Sequence, residues 1–333
     1  MRALFTEPFL VSLLFGAVTA GLPLLLAGLG EQISEKAGVL NIGLEGMMLI
    51  GAYTGFLATY RTGSFWFGFL AGGVGGMSAA LIVLSLCIRK GLNQIVIGIA
   101  ITVGAEGLTS LLHFVQFSRS YPRLAAAPIF AVPVFSRIPV LGQGLFSHNP
   151  LVYLSWALVG LLTWVFRSTY LGLSLEAAGN KPAALDAAGV DVVRTRSLAV
   201  LCTGFLAGLG GAYMANVGAG LFVPFMTGGA GVIGIVLAML ARGRPLWVLI
   251  GAALFGASLA MTTALQVAGI DVPTDVVQML PFAVVMLVLV IFARHSMLPS
   301  AVGTPYVRGE RGRRPHQGDR RCRSQRMKTR FLR

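Results

Sequence analysis

Long apolar segments with very few charged residues follow one another along most of this chain. Nine segments approach the roughly 20 residues that a helix needs to cross a bilayer. They cover residues 8–29, 38–60, 65–88, 92–116, 151–170, 197–217, 226–241, 246–266 and 277–293. Only 11% of the 333 residues are charged, against about 25% in soluble domains. The sequence therefore predicts an all-α, polytopic membrane helix bundle with about 8–10 transmembrane helices.

The seventh segment, residues 226–241, is short and rich in glycine, and Pro224 precedes it. Non-helical backbone at membrane depth is tolerated where it is buried in protein or lines a cavity. We therefore expect a broken or re-entrant helix here. Elsewhere, two pairs of glycines have the four-residue spacing that lets membrane helices approach closely. These pairs are Gly72/Gly76 and Gly204/Gly208.

Positive charge is concentrated at the end of the chain. The whole sequence has a net charge of +14. Residues 303–333 contribute +9 of it, from ten Arg and one Lys against two acidic residues. We expect a transmembrane domain over residues 1–302 and a basic, disordered cytoplasmic tail over 303–333 that can touch anionic membrane lipid. No nucleic-acid partner is expected, because most of the net positive charge belongs to this tail.

Lys and Arg in short loops indicate orientation, since these residues are enriched on the cytoplasmic side. Arg89 with Lys90, the loop 171–196, and Arg242 with Arg244 are predicted to be cytoplasmic. The loop 269–276 has two Asp and no positive charge, so it is expected outside. Nine crossings would place the N-terminus outside, whereas a re-entrant segment would change that count.

Polar residues at the start of the second apolar segment and within the fourth are candidates for function, because ionisable groups are costly in a membrane. Asn41 and Glu45 are four residues apart and are expected on one face of a helix. Glu106 lies within the fourth segment. Each carboxyl group has two interpretations: it lines a translocation path, or it ties two helices together through hydrogen bonds.

The loop 171–196 is predicted to contain a short helix. Asn180 suits its N-cap, Pro182 its first turn and Gly189 the left-handed position after its end. Its alanine-rich centre presents a small, smooth surface, and Asp191 suits the cap of a further turn. A short helix between two spans indicates a docking element, with an ordinary solvated connector as the alternative.

Two stretches carry a resemblance to a known family: residues 35–49, EKAGVLNIGLEGMML, and residues 178–190, AGNKPAALDAAGV. The sequence resembles the integral-membrane permeases of bacterial ABC importers for branched-chain amino acids, simple sugars and nucleosides. The first stretch looks most like the subgroup paired with basic-membrane-protein-type lipoproteins, which is associated with nucleoside uptake. The second is similar to the coupling loop that docks on the ATPase. The resemblance covers about residues 8–308.

The resemblance implies a multi-pass subunit of the bacterial cytoplasmic (inner) membrane that is not an enzyme. The implied partners are cytoplasmic ABC ATPase subunits, a second permease subunit, identical or different, and a periplasmic or lipoprotein substrate-binding protein. The residues of the implied docking loop are Asn180, Lys181, Pro182, Ala183, Ala184, Ala187, Ala188 and Gly189. A P-loop needs Gly before its Lys, and none of the four lysines has one. We therefore expect ATP to be bound by the partner ATPase and not by this chain.

A nucleoside is the expected substrate, so the path should offer rings and amide groups without strong charge. The main path candidates are Asn41, Glu45, Asn93, Gln94, Glu106 and Asn216. Further candidates are Gln266, Gln278, Tyr53, Tyr213, Phe222 and Phe225.

Other functions remain open at this point. The substrate could instead be a simple sugar or a branched-chain amino acid. From another class, an ion-coupled secondary transporter would use Glu45 and Glu106 as coupling residues, although it would need no docking helix. A membrane enzyme is not expected, because no His lies near a carboxylate or Cys at metal-ligand or triad spacing. We accordingly expect no metal, cofactor or catalytic residue in this chain.

Overall fold

A computed structural model describes residues 7–131 and 140–267 together with positions 133, 136, 138, 279, 283 and 303. Apart from those single positions, the predictions for the ninth segment, the loop 269–276, Gln278 and the basic tail lie outside the described residues. The side chain of Gln266 also lies outside the description.

Helices make up most of the described chain. The first four are α1 (Glu7–Lys36), α2 (Leu44–Thr62), α3 (Phe65–Val83) and α4 (Gln94–Phe117). The loop that follows contains β1 (Phe130–Ala131), α5 (Leu141–Leu145) and β2 (Ser147–His148), and the two strands pair antiparallel. The remaining helices are α6 (Pro150–Ser168), α7 (Tyr170–Asn180), α8 (Pro182–Ala187), α9 (Val192–Tyr213), α10 (Ala230–Ala241) and α11 (Pro245–Val267). Single π-helical stretches, Leu84–Arg89 and Met214–Ala219, continue α3 and α9.

Five of the described helices are long and apolar enough to span a membrane: α1, α3, α4, α6 and α9, with α3 and α9 counted together with their π-helical stretches. The predicted all-α polytopic bundle is confirmed. Helix α10 is apolar but has only 12 residues, which corresponds to about 18 Å. A hydrocarbon core is about 30 Å thick, so the expected broken helix is confirmed. It begins at Ala230, and turns occupy residues 224–229.

The second predicted helix begins later than expected. Helix α2 starts at Leu44, and residues 37–43 form turns and extended chain that we call the elbow. Gly38 has a φ of +85°, and the N–H of Asn41 donates to Oε1 of Glu31 instead of a helical carbonyl (2.9 Å). Asn41 therefore precedes α2, and the prediction that it shares a helical face with Glu45 is wrong.

The predicted glycine pairs bring α3 and α9 together. Gly72 and Gly76 of α3 face Gly204 and Gly208 of α9. A Cβ added to Gly76 would lie 2.7 Å from Cα of Gly208 and closer still to the carbonyl oxygen of Gly204. Only glycine permits this approach, so the two backbones are in direct contact, as the spacing predicts.

The bundle has two ends that differ in charge and structure. At the α8 end, Lys36 forms an ion pair with Glu176 of α7 and lies against Gly243, next to Arg242. The opposite end contains Glu7 of α1 and Thr263 of α11, which line one cavity. The loop 171–196 and Arg242, predicted to share a side of the membrane, therefore lie at one end, and Glu7 lies at the other.

Candidate functional site

A cavity of about 1420 Å³ lies at the end of the bundle opposite α8 and reaches inward to Pro23 and Ala230. Its walls come from α1, α11, the π-helical stretch after α9, the residues before α10 and the loop before α6. Small-molecule sites occupy about 300–1,000 Å³. This cavity is therefore large enough for a small solute with its surrounding water.

The lining of the cavity is mostly apolar, with scattered uncharged polar groups. Hydroxyl and amide side chains come from Ser12, Thr19, Gln143, Ser147, Thr227 and Thr263. The rings of Phe15 and Phe255 also line it. Among the described lining residues, Glu7 is the only one with an ionisable side chain. This combination suits a neutral solute that has both hydrogen-bonding groups and an apolar face.

Part of the cavity wall is formed by residues 220–229, which we call the floor segment, and by the start of α10. Val223, Met226, Thr227 and Gly228 of this segment line the cavity. Its backbone turns sharply, because Phe225, Gly228 and Gly229 all have positive φ. A half-helix that begins beside a central cavity is a frequent feature of membrane transport proteins.

Glu45 holds the start of α10 from the first turn of α2. Its Oε1 accepts a hydrogen bond from the N–H of Gly229 (2.9 Å), and its Oε2 accepts one from the N–H of Gly231 (2.7 Å). Glu45 is 6% exposed and is not among the residues that line the cavity. Its hydrogen bonds therefore tie α2 to the start of α10. This arrangement agrees with the second of the two interpretations given above.

Three other path candidates also make structural hydrogen bonds. The side chain of Asn93 accepts from the N–H of Ile95 and so caps α4 (2.9 Å). Oε1 of Gln94 accepts from the N–H of Leu40 in the elbow (2.9 Å). Asn216 donates from Nδ2 to Oγ1 of Thr59 (2.9 Å).

The remaining candidates also lie away from the cavity wall. Glu106 is half-buried on α4, and Asn41 is buried in the elbow. Tyr53, Tyr213 and Phe222 are buried within the bundle, and Phe225 is exposed. None of these candidates is among the described residues that line the cavity. A role for the predicted residues in a translocation path stays a prediction.

The sequence contained a signal for the cavity that residue-by-residue reasoning missed. Ser12, Thr19 and Pro23 of α1 are separated by seven and four residues, so they lie on one face of the helix. Phe15 lies on the same face and also lines the cavity. A face with hydroxyls, a proline and a ring in an otherwise apolar helix indicates a wall that does not contact lipid.

The predicted docking loop forms two helices where one was expected. Asn180 is the last residue of α7 and not an N-cap, because the chain stays helical up to it. Lys181 takes the N-cap position of α8, and Pro182 occupies the first turn as predicted. Gly189 has a φ of +83°, as its predicted left-handed position requires. Asp191 caps α9 by accepting a hydrogen bond from the N–H of Arg194 (3.1 Å).

Helix α8 is attached to the bundle by one face and exposes the other. Leu185 packs with Ala178 and Val192 in a small cluster of buried residues. The exposed residues are Ala183, Ala184, Ala187, Ala188 and Gly189. The alanine-rich centre therefore forms a small exposed surface, which we call the alanine surface.

Helix α7 is held by contacts with the elbow, with the C-terminal end of α1 and with Arg196 of α9. Nη2 of Arg196 donates to the carbonyl oxygen of Ala178 (3.1 Å). A Cβ on Gly38 would lie 3.0 Å from Cα of Gly179. Lys36 lies over the ring of Phe166 at 4.8 Å from its centroid, in addition to its ion pair with Glu176. The loop that carries the alanine surface is thus in direct contact with the elbow.

His148 joins the loop beside the cavity to α1. It is 1% exposed, its ring stacks on Phe15 with centroids 4.5 Å apart, and its Nε2 lies 2.9 Å from the carbonyl oxygen of Gly144. Burial lowers the pKa of His148 below its usual value, because the charged ring loses its hydration.

These features define a class: a polytopic membrane protein with a cavity beside the start of a half-helix, the architecture of a solute permease. The chain belongs to the family described as branched-chain amino acid transport system / permease component, whose model matches residues 13–289. The predicted family is therefore confirmed, and the chain is an ABC-type permease subunit that resides in the membrane as a multi-pass protein. The secondary-transporter alternative finds no support in this family.

Three relatives illustrate the range of this family. The chain is 39% identical over 252 residues to the putative glucose ABC transporter permease protein TsgC13 of Haloferax volcanii, covering 74% of this chain and 76% of that protein. It is 31% identical over 301 residues to the guanosine ABC transporter permease protein NupQ of Bacillus subtilis (87% and 94%). It is 29% identical over 299 residues to the nucleoside ABC transporter permease protein NupC of Lactococcus lactis (86% and 94%).

Proposed function

We propose that this chain is the translocating subunit of an ATP-driven importer of nucleosides in the cytoplasmic membrane. The observation that carries the proposal is the lining of the cavity. It offers hydroxyl and amide groups for a ribose and a base, and the rings of Phe15 and Phe255 as apolar partners for the base. Glu7 is its only ionisable group among the described lining residues.

The same lining helps to rank the alternative substrates. A branched-chain amino acid carries two opposite charges, and each would require a charged or strongly polar partner. A sugar would be satisfied by the hydroxyl and amide groups but would make less use of two phenyl rings. The names of NupQ and NupC favour a nucleoside, whereas that of TsgC13 makes glucose the second candidate.

The alanine surface supports a separate ATPase subunit as the partner of this chain. An exposed patch of alanines has little side-chain entropy to lose on docking, and it is fixed to the bundle through Leu185. We assign it as the contact with a cytoplasmic ABC ATPase, which binds the ATP. A second permease subunit completes the path, and a substrate-binding protein delivers the solute at the end opposite α8.

Competition in a reconstituted transporter tests the substrate. The complete complex is placed in proteoliposomes that contain ATP on the ATPase side, and uptake of labelled guanosine is measured. We expect unlabelled nucleosides to compete at micromolar concentrations, and glucose and leucine to have no effect at a thousandfold excess. Uptake of glucose that guanosine fails to inhibit would overturn the nucleoside assignment and favour the sugar.

A further inference from the structure

The N-terminus of α10 is capped by a residue that is far away in sequence. Gly229 is the N-cap residue of α10 but has no side chain with which to cap it. The N–H groups of Gly229 and Gly231 instead donate to the two carboxylate oxygens of Glu45, which is more than 180 residues earlier. A carboxylate at this position also interacts favourably with the helix dipole. Helix α10 therefore depends on α2 to satisfy its first backbone groups.

This cap lies at the inner boundary of the cavity. Between it and the α8 end, helices α1, α10 and α11 pack closely together. Thr227, Gly228 and Ala230, next to the capped N–H groups, line the cavity. Below them, a Cβ on Gly234 would lie 2.9 Å from Cβ of Ala27. One on Gly28 would lie 2.8 Å from Cγ1 of Val248. Helices α1, α10 and α11 thus leave no passage between the cavity and the α8 end along this contact.

On its other side, Glu45 is joined to the docking loop through the elbow. Helix α2 begins one residue before Glu45, directly after the elbow. The elbow is mostly buried and is fixed by Glu31 and Gln94, which accept hydrogen bonds from its backbone. Gly38 at its start is in contact with Gly179 of α7. A movement of α7 that displaces the elbow would therefore move the carboxylate relative to α10.

We infer that Glu45 is a positioning residue that acts as a latch: its two hydrogen bonds to Gly229 and Gly231 keep the cavity closed towards the α8 end until docking movements release them. This inference rests on the proposed function. Released N–H groups at the start of α10 are costly in a membrane interior. The open state is consequently minor unless the ATPase supplies the energy for it.

Thiol accessibility tests the latch in the full chain. We replace Ile233, which lines the cavity near the start of α10, by Cys in a background that carries Cys87→Ala, Cys202→Ser and Cys322→Ser. A membrane-impermeant maleimide is added to vesicles that expose the α8 end. Without ATPase, we expect slow labelling, and Glu45→Gln should accelerate it about tenfold, because the amide turns a donor NH2 towards one of the two backbone N–H groups.

A matched variant separates the latch from the general loss of a helix cap. Asn149 is 4% exposed and caps α6 by accepting a hydrogen bond from the N–H of Leu151. Asn149→Ala should lower thermal stability without changing the labelling rate at position 233. If Glu45→Gln labels as slowly as the parent protein, or if Asn149→Ala accelerates labelling equally, the latch is refuted.

Hydrogen exchange provides a measurement that needs no variant. In the complete transporter, the amides of Gly229 and Gly231 should be protected without nucleotide and should exchange at least about tenfold faster in an ATP-trapped state. Equal exchange in both states would overturn the latch even if Glu45→Gln fails to fold. Failure of the nucleoside assignment would leave these readouts unchanged, because neither requires a transported solute.

Discussion

Two irregular segments interrupt the helices of this protein, and they satisfy their backbone groups in the same way but in different surroundings. The elbow (residues 37–43) and the floor segment (220–229) both place non-helical backbone inside a helical bundle. In each, a glutamate side chain from an adjacent helix accepts a backbone N–H: Glu31 for the elbow and Glu45 for Gly229 at the end of the floor segment. Backbone groups removed from water need such partners.

The difference between the two segments lies in what surrounds them. The elbow is mostly buried and contacts α7, and none of its residues is among the described residues that line the cavity. Eight of the floor segment's ten residues are partly or fully exposed, and four of the ten line the cavity. We therefore assign the elbow a connecting role and the floor segment a role in solute binding. Four predictions test this distinction.

The largest effect is expected at the alanine surface, the proposed contact with the ATPase. Ala187→Glu places a charged, bulky side chain on the alanine surface, so docking should fail and uptake should fall to the background of a strain without the permease. Membrane levels should stay normal, since Ala187 is exposed. Ala187→Ser is the control and should retain uptake. Normal uptake by the Glu variant would mean that this surface is a plain connector.

The next effect concerns the cavity alone. Phe15→Leu removes a ring from the cavity wall but keeps its apolar character. Stacking of a base on an aromatic ring contributes about 1–3 kcal/mol, so we expect the KM for guanosine uptake to rise about tenfold with membrane levels unchanged. Phe67, a ring 63% exposed and not among the residues that line the cavity, provides the control as Phe67→Leu. An unchanged KM in Phe15→Leu would argue against base stacking at this wall.

A pair of glycine substitutions compares the packing of the two segments directly. Gly38 and Gly220 both have positive φ, +85° and +68°, so alanine at either position costs about 1–2 kcal/mol. A Cβ at Gly38 also meets Arg196 and Gly179 at 3.0 Å, whereas none of the described atoms lies within 4 Å of one at Gly220. Thermal unfolding in detergent should therefore show a larger loss for Gly38→Ala. Equal losses would contradict the tighter packing of the elbow.

The smallest effect is a pH dependence beside the cavity. The pKa of His148 is lowered in the folded protein by burial, so the unfolded chain takes up a proton first as pH falls through about 6.5. Stability contributed by neutral His148 should be present above this pH and decrease below it. We expect Tm at pH 5.5 relative to pH 7.5 to fall about 2 °C less in His148→Gln than in the parent. An identical pH dependence in both proteins would exclude this role.

Much of the fold was predictable from the sequence, because apolar length and glycine spacing are local properties. The hydrophobic segments predicted the spans, and the glycines between residues 226 and 241 predicted the broken helix. Pro182 and Gly189 predicted the ends of α8 for the same reason, as each acts through its own backbone.

The candidate site was less predictable, because its contacts join distant parts of the chain. No local pattern connects Glu45 with Gly229 and Gly231, and only the tertiary fold brings them together. The elbow was mistaken for helix because residues 38–43 are as apolar as a span, while their hydrogen bonds depend on Glu31 and Gln94. The polar path candidates stood out by residue type, but many of them cap or tie helices away from the cavity.

The energy source of transport tests the central claim most directly. Proteoliposomes containing this chain with its partner permease, ATPase and binding protein are compared with proteoliposomes containing this chain alone. The account predicts uptake only in the complete complex, only with ATP on the ATPase side, and no ATP hydrolysis by the isolated chain. Uptake by the chain alone, driven by an imposed proton or sodium gradient, would contradict it.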